Sequence, residues 1–360
     1  MNPIFKKLAS VLDRIPNGFP ATESGVELKI LEKLFSLPQA ELATHLTLEG
    51  QTAKQVARRS GLEERECFLL LKKMTRKGLI EAEPGKGGLA FRLIPFIVGF
   101  YEKQNARIDA EFARLFEQYY REALHRIMDM NPPVHRVIPV ETAIPLQVEV
   151  MPYERASHYL NRARAWGVLP CICRVQQALI GKGCTHSREN CLVFSSRPGA
   201  FDRTDAIRAI PREEAFEILD QARREGLIHS TGNRRDGLTY ICNCCTCCCG
   251  VIRGVTEFGH LNAVARSDFL AGVDENLCTG CGLCVDRCPF GALRVETEEG
   301  RCRVDSRHCF GCGLCVSSCP RTALFLGPKP GDQLKAPPED ERAWRKARAE
   351  ARRKARQGRG

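Results

Sequence analysis

Residues 278–289 read Cys-Thr-Gly-Cys-Gly-Leu-Cys-Val-Asp-Arg-Cys-Pro, and residues 309–320 read Cys-Phe-Gly-Cys-Gly-Leu-Cys-Val-Ser-Ser-Cys-Pro. Each stretch is C-x2-C-x2-C-x3-C-P. Three thiols two residues apart can wrap one face of an iron–sulfur cube, and the fourth, beside the proline, points away toward the cube of the other repeat. Other uses of cysteine fit poorly. A disulfide framework needs an oxidising compartment, and a zinc ribbon usually lacks the third and fourth cysteines at this interval.

At these residues the chain resembles the bacterial-type two-cluster ferredoxins, over about residues 273–327. The resemblance implies two [4Fe–4S] clusters. One would take Cys278, Cys281, Cys284 and Cys319; the other would take Cys309, Cys312, Cys315 and Cys288. Gly280, Gly282, Gly311 and Gly313 would let backbone amides approach the cluster sulfurs. Leu283, Val285, Phe290, Leu314 and Val316 would keep the clusters dry, and strands Ala292–Val295 and Thr322–Phe325 would continue the twofold repeat. The insertion Glu298-Glu299-Gly300-Arg301 is expected only to lengthen a hairpin, leaving Cys302 a spare thiol.

The chain has 360 residues, enough for two or three domains, and 20 cysteines. Residues 1–19 lack the apolar core of a secretory signal, and no apolar run approaches the ~20 residues that cross a bilayer. A reducing, cytoplasmic setting in which the thiols serve metal is therefore expected. The formal net charge is +11, much of it in the tail. A basic balance permits nucleic acid, an anionic surface or an acidic redox partner and chooses none of them.

The expected fold is α+β and multidomain: a winged helix-turn-helix domain (1–94), a long connecting helix (95–133), a Cys-rich mixed domain (134–272), the ferredoxin-like domain (273–327) and a basic tail (328–360). In the first, Ser24-x-x-Glu27 and Thr52-x-x-Gln55 read as capping boxes. Glu63–Lys77 reads as a helix with Cys67 as a small core residue. Leu79–Glu83 and Leu89–Leu93 read as strands around a wing, Pro84-Gly85-Lys86-Gly87-Gly88. The pattern is similar to helix-turn-helix regulators. Glu63, Glu64 and Glu66 would repel phosphates where a recognition helix meets bases, so docking or dimerisation is favoured over DNA. Apolar residues from Ile108 to Ile127 mark one helix over Phe96–Met130. Asp340–Gln357 is so polar that a solvated helix or a disordered segment is read, with poor order expected and Trp344 its only large apolar group.

The middle region holds two further groups of thiols: Cys171, Cys173, Cys184 and Cys191, then Cys242, Cys244, Cys245, Cys247, Cys248 and Cys249. A helix-forming stretch, Tyr153–Ala165, precedes the first group, and a helix from Pro211 to Gly226 lies between the two. Cys242, Cys245 and Cys248 repeat the two-residue interval of a ferredoxin triad. Cys171, Cys173, Cys184, Cys191, Cys242, Cys245 and Cys248 are therefore candidate ligands of one or two additional [4Fe–4S] clusters, with zinc as the alternative. His186 reads as a surface-loop residue. There is no phosphate loop, dinucleotide fingerprint or nucleophile elbow. The expected function is electron transfer to a partner oxidoreductase, with a homodimer in view; the alternative is a redox-sensing winged-helix regulator.

Overall fold

The computed structural model describes residues 2–85 and 88–357; Met1, Lys86 and Gly87 of the expected wing, and residues 358–360 of the tail lie outside the described residues. The chain divides into two compact units: Met1–Ile127 with Gln176–Lys182 and Arg352–Gly360, and Met128–Val175 with Gly183–Ala351.

The first unit begins with α1 (Pro3–Arg14), α2 (Val26–Leu34) and α3 (Leu37–Ala43). It continues through β1 (Gln51–Thr52), α4 (Ala53–Ser60), α5 (Glu64–Arg76), β2 (Ile80–Gly85) and β3 (Gly88–Leu93). The strands form an antiparallel sheet in the order β1-β3-β2. The Thr52–Gln55 capping box forms, with the Thr52 N–H donating to Gln55 Oε1 at 2.8 Å. The one expected at Ser24 does not. Gly25, in the left-handed region, caps α2; the Glu27 carboxylate accepts from Thr22, and Ser24 donates instead to Glu122 at 2.6 Å. Glu63 caps α5, which buries Cys67, Leu71 and Met74.

The single helix expected over Phe96–Met130 is corrected. A wide turn occupies Phe96–Phe100 and a tight one Glu102–Gln104, with non-helical backbone at Ile97, Val98 and Gly99. The Glu102 carboxylate accepts the Gly99 N–H at 2.6 Å, and Asp109 caps a new helix by accepting from the Phe112 N–H at 2.8 Å. Local carboxylates thus take the amides that a continuous helix would use. The resulting helix, α6 (Ala110–Tyr119), passes through a wide turn at Tyr120–Leu124 into α7 (His125–Met128). Phe112, Phe116 and Tyr119 are buried with Phe96 and Tyr101, and Tyr101 stacks on Phe116 at 3.9 Å.

The second unit is built on β4 (His135–Val137), α8 (Ala156–Arg162), β5 (Ala165–Pro170), α9 (Ile172–Leu179, counted with the first unit from Gln176), β6 (Glu189–Ser195) and β7 (Arg208–Ile210). It continues through α10 (Arg212–Glu225), β8 (Ile228–Gly232), β9 (Tyr240–Cys244), α11 (Gly250–Thr256) and β10 (Val264–Ala265). These strands form one sheet in the order β10-β4-β8-β9-β6-β5-β7, antiparallel except at β10–β4. The helix-forming stretch at Tyr153–Ala165 yields the shorter α8, because Ala165 already pairs with Ser195 in the sheet. Leu160 and Leu219 from α8 and α10 pack with Val168, Leu192, Phe194 and Ile241 from one face of the sheet. Pro211 and a left-handed Gly226 bound α10, as the sequence predicts.

The same unit carries β11 (Phe269–Val273), α12 (Leu283–Arg287), β12 (Leu293–Glu296), β13 (Arg301–Val304), β14 (Leu324–Pro328) and α13 (Glu341–Gln357), the last counted with the first unit from Arg352. β11 pairs with β14, and β12 pairs with β13. The second unit thus includes both the middle and the ferredoxin-like regions. The poor order expected of the tail is corrected, and of its two readings the helix forms, packed rather than solvated at Trp344 and Arg348. α13 buries Trp344 and Arg348; the Trp344 indole N–H donates to the Pro133 carbonyl at 2.8 Å, and Arg348 donates to the Pro132 carbonyl at 2.8 Å. Among the described residues no helix is long and apolar enough to cross a membrane.

His135 is buried between Ser230 Oγ at 3.3 Å and Tyr240 OH at 3.0 Å, and burial, with Arg234 adding to it, lowers its pKa to about 4. The unfolded chain, with an ordinary imidazole near 6.5, binds more protons between those values. His135 therefore leaves stability intact above about pH 6.5 and costs roughly 3 kcal/mol as pH falls to about 4. The melting temperature of the full chain should fall more steeply between pH 7 and 5 than that of His135→Gln; equal slopes would contradict this burial.

Candidate metal centres

The two cysteine repeats fold as near copies. The Cys278 N–H donates to Asp274 O and the Cys309 N–H to Asp305 O, each at 3.0 Å, and each aspartate's own N–H is tied across the repeat, to Ala323 O or Ala292 O at 2.8 Å. Gly280 and Gly311 both have φ +67. A Cβ at Gly280 would stand 2.1 Å from Gly300 O, and one at Gly311 2.1 Å from Ser267 Oγ. Both positions thus combine a left-handed backbone with a close approach that only glycine permits.

This backbone places the thiols around two cavities. One is lined by Cys278, Cys281, Cys284 and Cys319. The other is lined by Cys309, Cys312, Cys315 and Cys288. The fourth cysteine of each repeat therefore faces the cavity of the other, the grouping that the ferredoxin resemblance implies. Cys281 is exposed, whereas Cys309, Cys312 and Cys315 are buried. Phe290 and Phe310 stack at 4.1 Å in the wall of the second cavity. Leu314 is fully buried, and Leu283, expected to exclude water, lines the first cavity but is half exposed.

Four amides point at these sulfurs: Cys302 N–H to Cys278 Sγ (3.3 Å), Ala271 N–H to Cys309 Sγ (3.4 Å), Ala292 N–H to Cys288 Sγ (3.2 Å) and Ala323 N–H to Cys319 Sγ (3.3 Å). Such bonds favour electron-rich sulfur. Burial pushes the Cys312 thiol up to about 12 and Cys315 higher still. Without a bound cation these would be neutral thiols; a metal ligated by them deprotonates them outright. Cys302 is not peripheral. Its amide serves Cys278, its Sγ lies 3.5 Å from Cys284 Sγ, and it lines the first cavity. The hairpin insertion likewise does more than add length, because Gly300 closes on Gly280.

The ten middle thiols separate into two groups, and strand alternation explains the division. On β6 and β9, Leu192 pairs with Ile241 and both enter the apolar core. Cys191, Cys242 and Cys244 therefore project to the opposite face. With Cys171, Cys173 and Cys249 they form a row of thiol–thiol contacts: Cys191–Cys242, Cys242–Cys244, Cys244–Cys249, Cys249–Cys173 and Cys173–Cys171. Where β9 ends, the chain turns, and Cys245, Cys247 and Cys248 meet Cys184 instead. The reading of Cys242, Cys245 and Cys248 as one triad is thus corrected. Cys244, Cys247 and Cys249 join the groups although the two-residue interval passes over them. Their contiguity with the other thiols was the available signal, but it does not assign them to a group. His186 stands near Glu225 at 3.9 Å.

Arg174 is buried beside both groups. Its guanidinium donates to Ser187 O (3.0 Å), Asn190 Oδ1 (2.7 Å) and Asn243 O (2.8 Å), and it faces the sulfurs of Cys171, Cys245 and Cys244. A thiol hydrogen bond from Cys248, with Arg174 nearby, lowers the Cys245 pKa, so thiolate character gathers there.

Residues 271–320 match a family model described as a 4Fe-4S dicluster domain. No curated protein and no solved structure matches the chain. The C-terminal part of this α+β chain is thus a ferredoxin-type iron–sulfur domain, and the Cys-rich groups before it have the composition of further metal sites.

If the fourth thiols are exchanged between repeats, Cys319→Ser and Cys281→Ser should perturb the same cluster signal in the EPR spectrum of the reduced protein. Cys288→Ser should perturb the other. Cys319→Ser altering the signal that Cys312→Ser alters would contradict the exchange.

Proposed function

We propose that this chain is an iron–sulfur electron-transfer protein that passes single electrons between its ferredoxin-type domain and a partner oxidoreductase. The observation that carries the proposal is the packing of the two thiol-lined cavities and the middle thiol groups in one compact unit. Bound [4Fe–4S] clusters supply reversible one-electron storage, at potentials set by hydrogen bonds to sulfur, burial and charge.

The residues of this chain supply those settings. The four amides aimed at Cys278, Cys288, Cys309 and Cys319 stabilise charge on sulfur. Exposed Cys281 brings the first cavity to the surface as an exchange port. Two short links join this domain to the middle region. Arg287 at the end of α12 donates to Arg223 O (2.6 Å) and Arg224 O (2.7 Å), and α10 then leads into Leu227, which packs on Cys245 and Cys248. The Val140 N–H donates to Cys312 O at 2.9 Å. Within the middle region, the six-thiol row is the place for a third cube, drawing four of its ligands from Cys171, Cys173, Cys191, Cys242, Cys244 and Cys249.

The order β1, α4, α5, β2, β3 in the first unit supports a winged-helix reading. Glu64 and Glu66 stand exposed in the first turn of α5, where phosphates would have to approach. This unit is therefore read as a docking or dimerisation module rather than a DNA reader, and the protein as cytoplasmic.

Anaerobically purified protein should carry about twelve irons or more, with about twelve sulfides in three cubes. About eight of each would remove the third cube, and none would remove the function. A salt-sensitive shift of duplex DNA at nanomolar protein would turn the reading toward a regulator.

A further inference from the structure

The four thiols of Cys184, Cys245, Cys247 and Cys248 stand too close together for a cube. All four sulfurs lie within 4.8 Å of one another, with Cys248 Sγ 3.6 Å from Cys184 Sγ and 3.8 Å from Cys247 Sγ. A tetrahedral ion with metal–sulfur bonds of about 2.3 Å holds its four sulfurs about 3.8 Å apart. A cube interposes four irons and four sulfides, so its thiolates stand away from one another around a cavity, as in the ferredoxin-type domain. Among the described residues, no three thiols of the six-thiol row gather within such a distance of one another. We infer that Cys184, Cys245, Cys247 and Cys248 form a mononuclear tetrahedral thiolate site for one thiophilic divalent ion, zinc or ferrous iron.

The surroundings fit a closed, structural ion. Cys245 and Cys248 are buried against Ala222 and Leu227, and Cys184 packs on the same cluster, so the site has an apolar floor. Four thiolates on a divalent ion leave two negative charges, and Arg174 places a buried cation beside Cys245. Three protein oxygens hold that guanidinium, so it cannot swing out to water. The ion would tie the loop that carries Cys184 to the turn after β9. Those same two segments carry Cys191 before β6 continues, and Cys249 at the start of α11. The site therefore staples the Cys184 loop to that turn, and electrons need not pass through it. The inference goes beyond the electron-transfer proposal and does not rest on it.

Cubes contribute iron and sulfide in equal number, whereas a mononuclear site contributes metal alone. Full-length protein purified without oxygen should therefore contain about one equivalent of zinc plus iron in excess of its acid-labile sulfide. Zinc as the excess identifies a zinc site, and iron identifies a rubredoxin-like one. Cys247→Ser, at the exposed corner of the site, should lose that one equivalent while sulfide stays unchanged. Metal equal to sulfide in the wild-type protein, or a loss of about four irons with four sulfides in Cys247→Ser, would overturn the inference. The wild-type stoichiometry decides the matter even if the variant does not fold.

Discussion

The exchange of Cys288 and Cys319 between the two repeats is the constraint on which the C-terminal part of the structure depends. A thiol that must reach the neighbouring cavity forces the chain to leave its own ligand loop, turn at the proline and return as a strand. The pairing of β11 with β14 and of β12 with β13 follows from that path, because each repeat must start and end beside its partner. The glycines then follow from the crowding this creates, with Gly300 against Gly280 and Phe269 against Gly311. Neither repeat could be completed without the other, since each cavity draws one of its four thiols from outside its own loop.

In the middle region the organising rule is different. Strand alternation gives one face of the β6–β9 pair to the apolar core and the other to sulfur. A turn at the end of β9 then separates three of the consecutive cysteines from the rest. Arg174 stands where the two groups meet. Its charge offsets sulfur on both sides, and removing it while keeping the thiolates would leave buried negative charge without a partner. Metal chemistry and sheet geometry are thus solved by the same residues.

The ferredoxin-type domain was almost entirely legible from the sequence, because its ligand spacing is local and its turns are marked by glycine and proline. Cys302 was the exception, since its neighbours are set by a hairpin rather than by an interval. The middle thiols could be recognised as metal-binding but not sorted, because sorting depends on which strands become neighbours and where β9 ends. Apolar periodicity placed α4, α5 and α10 correctly. It failed at Phe96–Met130, where Glu102 and Asp109 capture backbone amides, and at α13, where buried arginines do work that the polar composition concealed. In each failure a polar side chain found a backbone partner that periodicity does not register.

On the proposed reading, the two cavities and the six-thiol row carry single electrons, with Cys281 as the exposed thiol of the ferredoxin-type domain. That account is tested most directly by counting the electrons the protein accepts in an oxygen-free spectroelectrochemical titration. It predicts about three electrons per chain, one for each cube, taken up reversibly at low potential. A colourless protein that accepts none, or one whose ferredoxin-type cysteines hold only zinc, would contradict it.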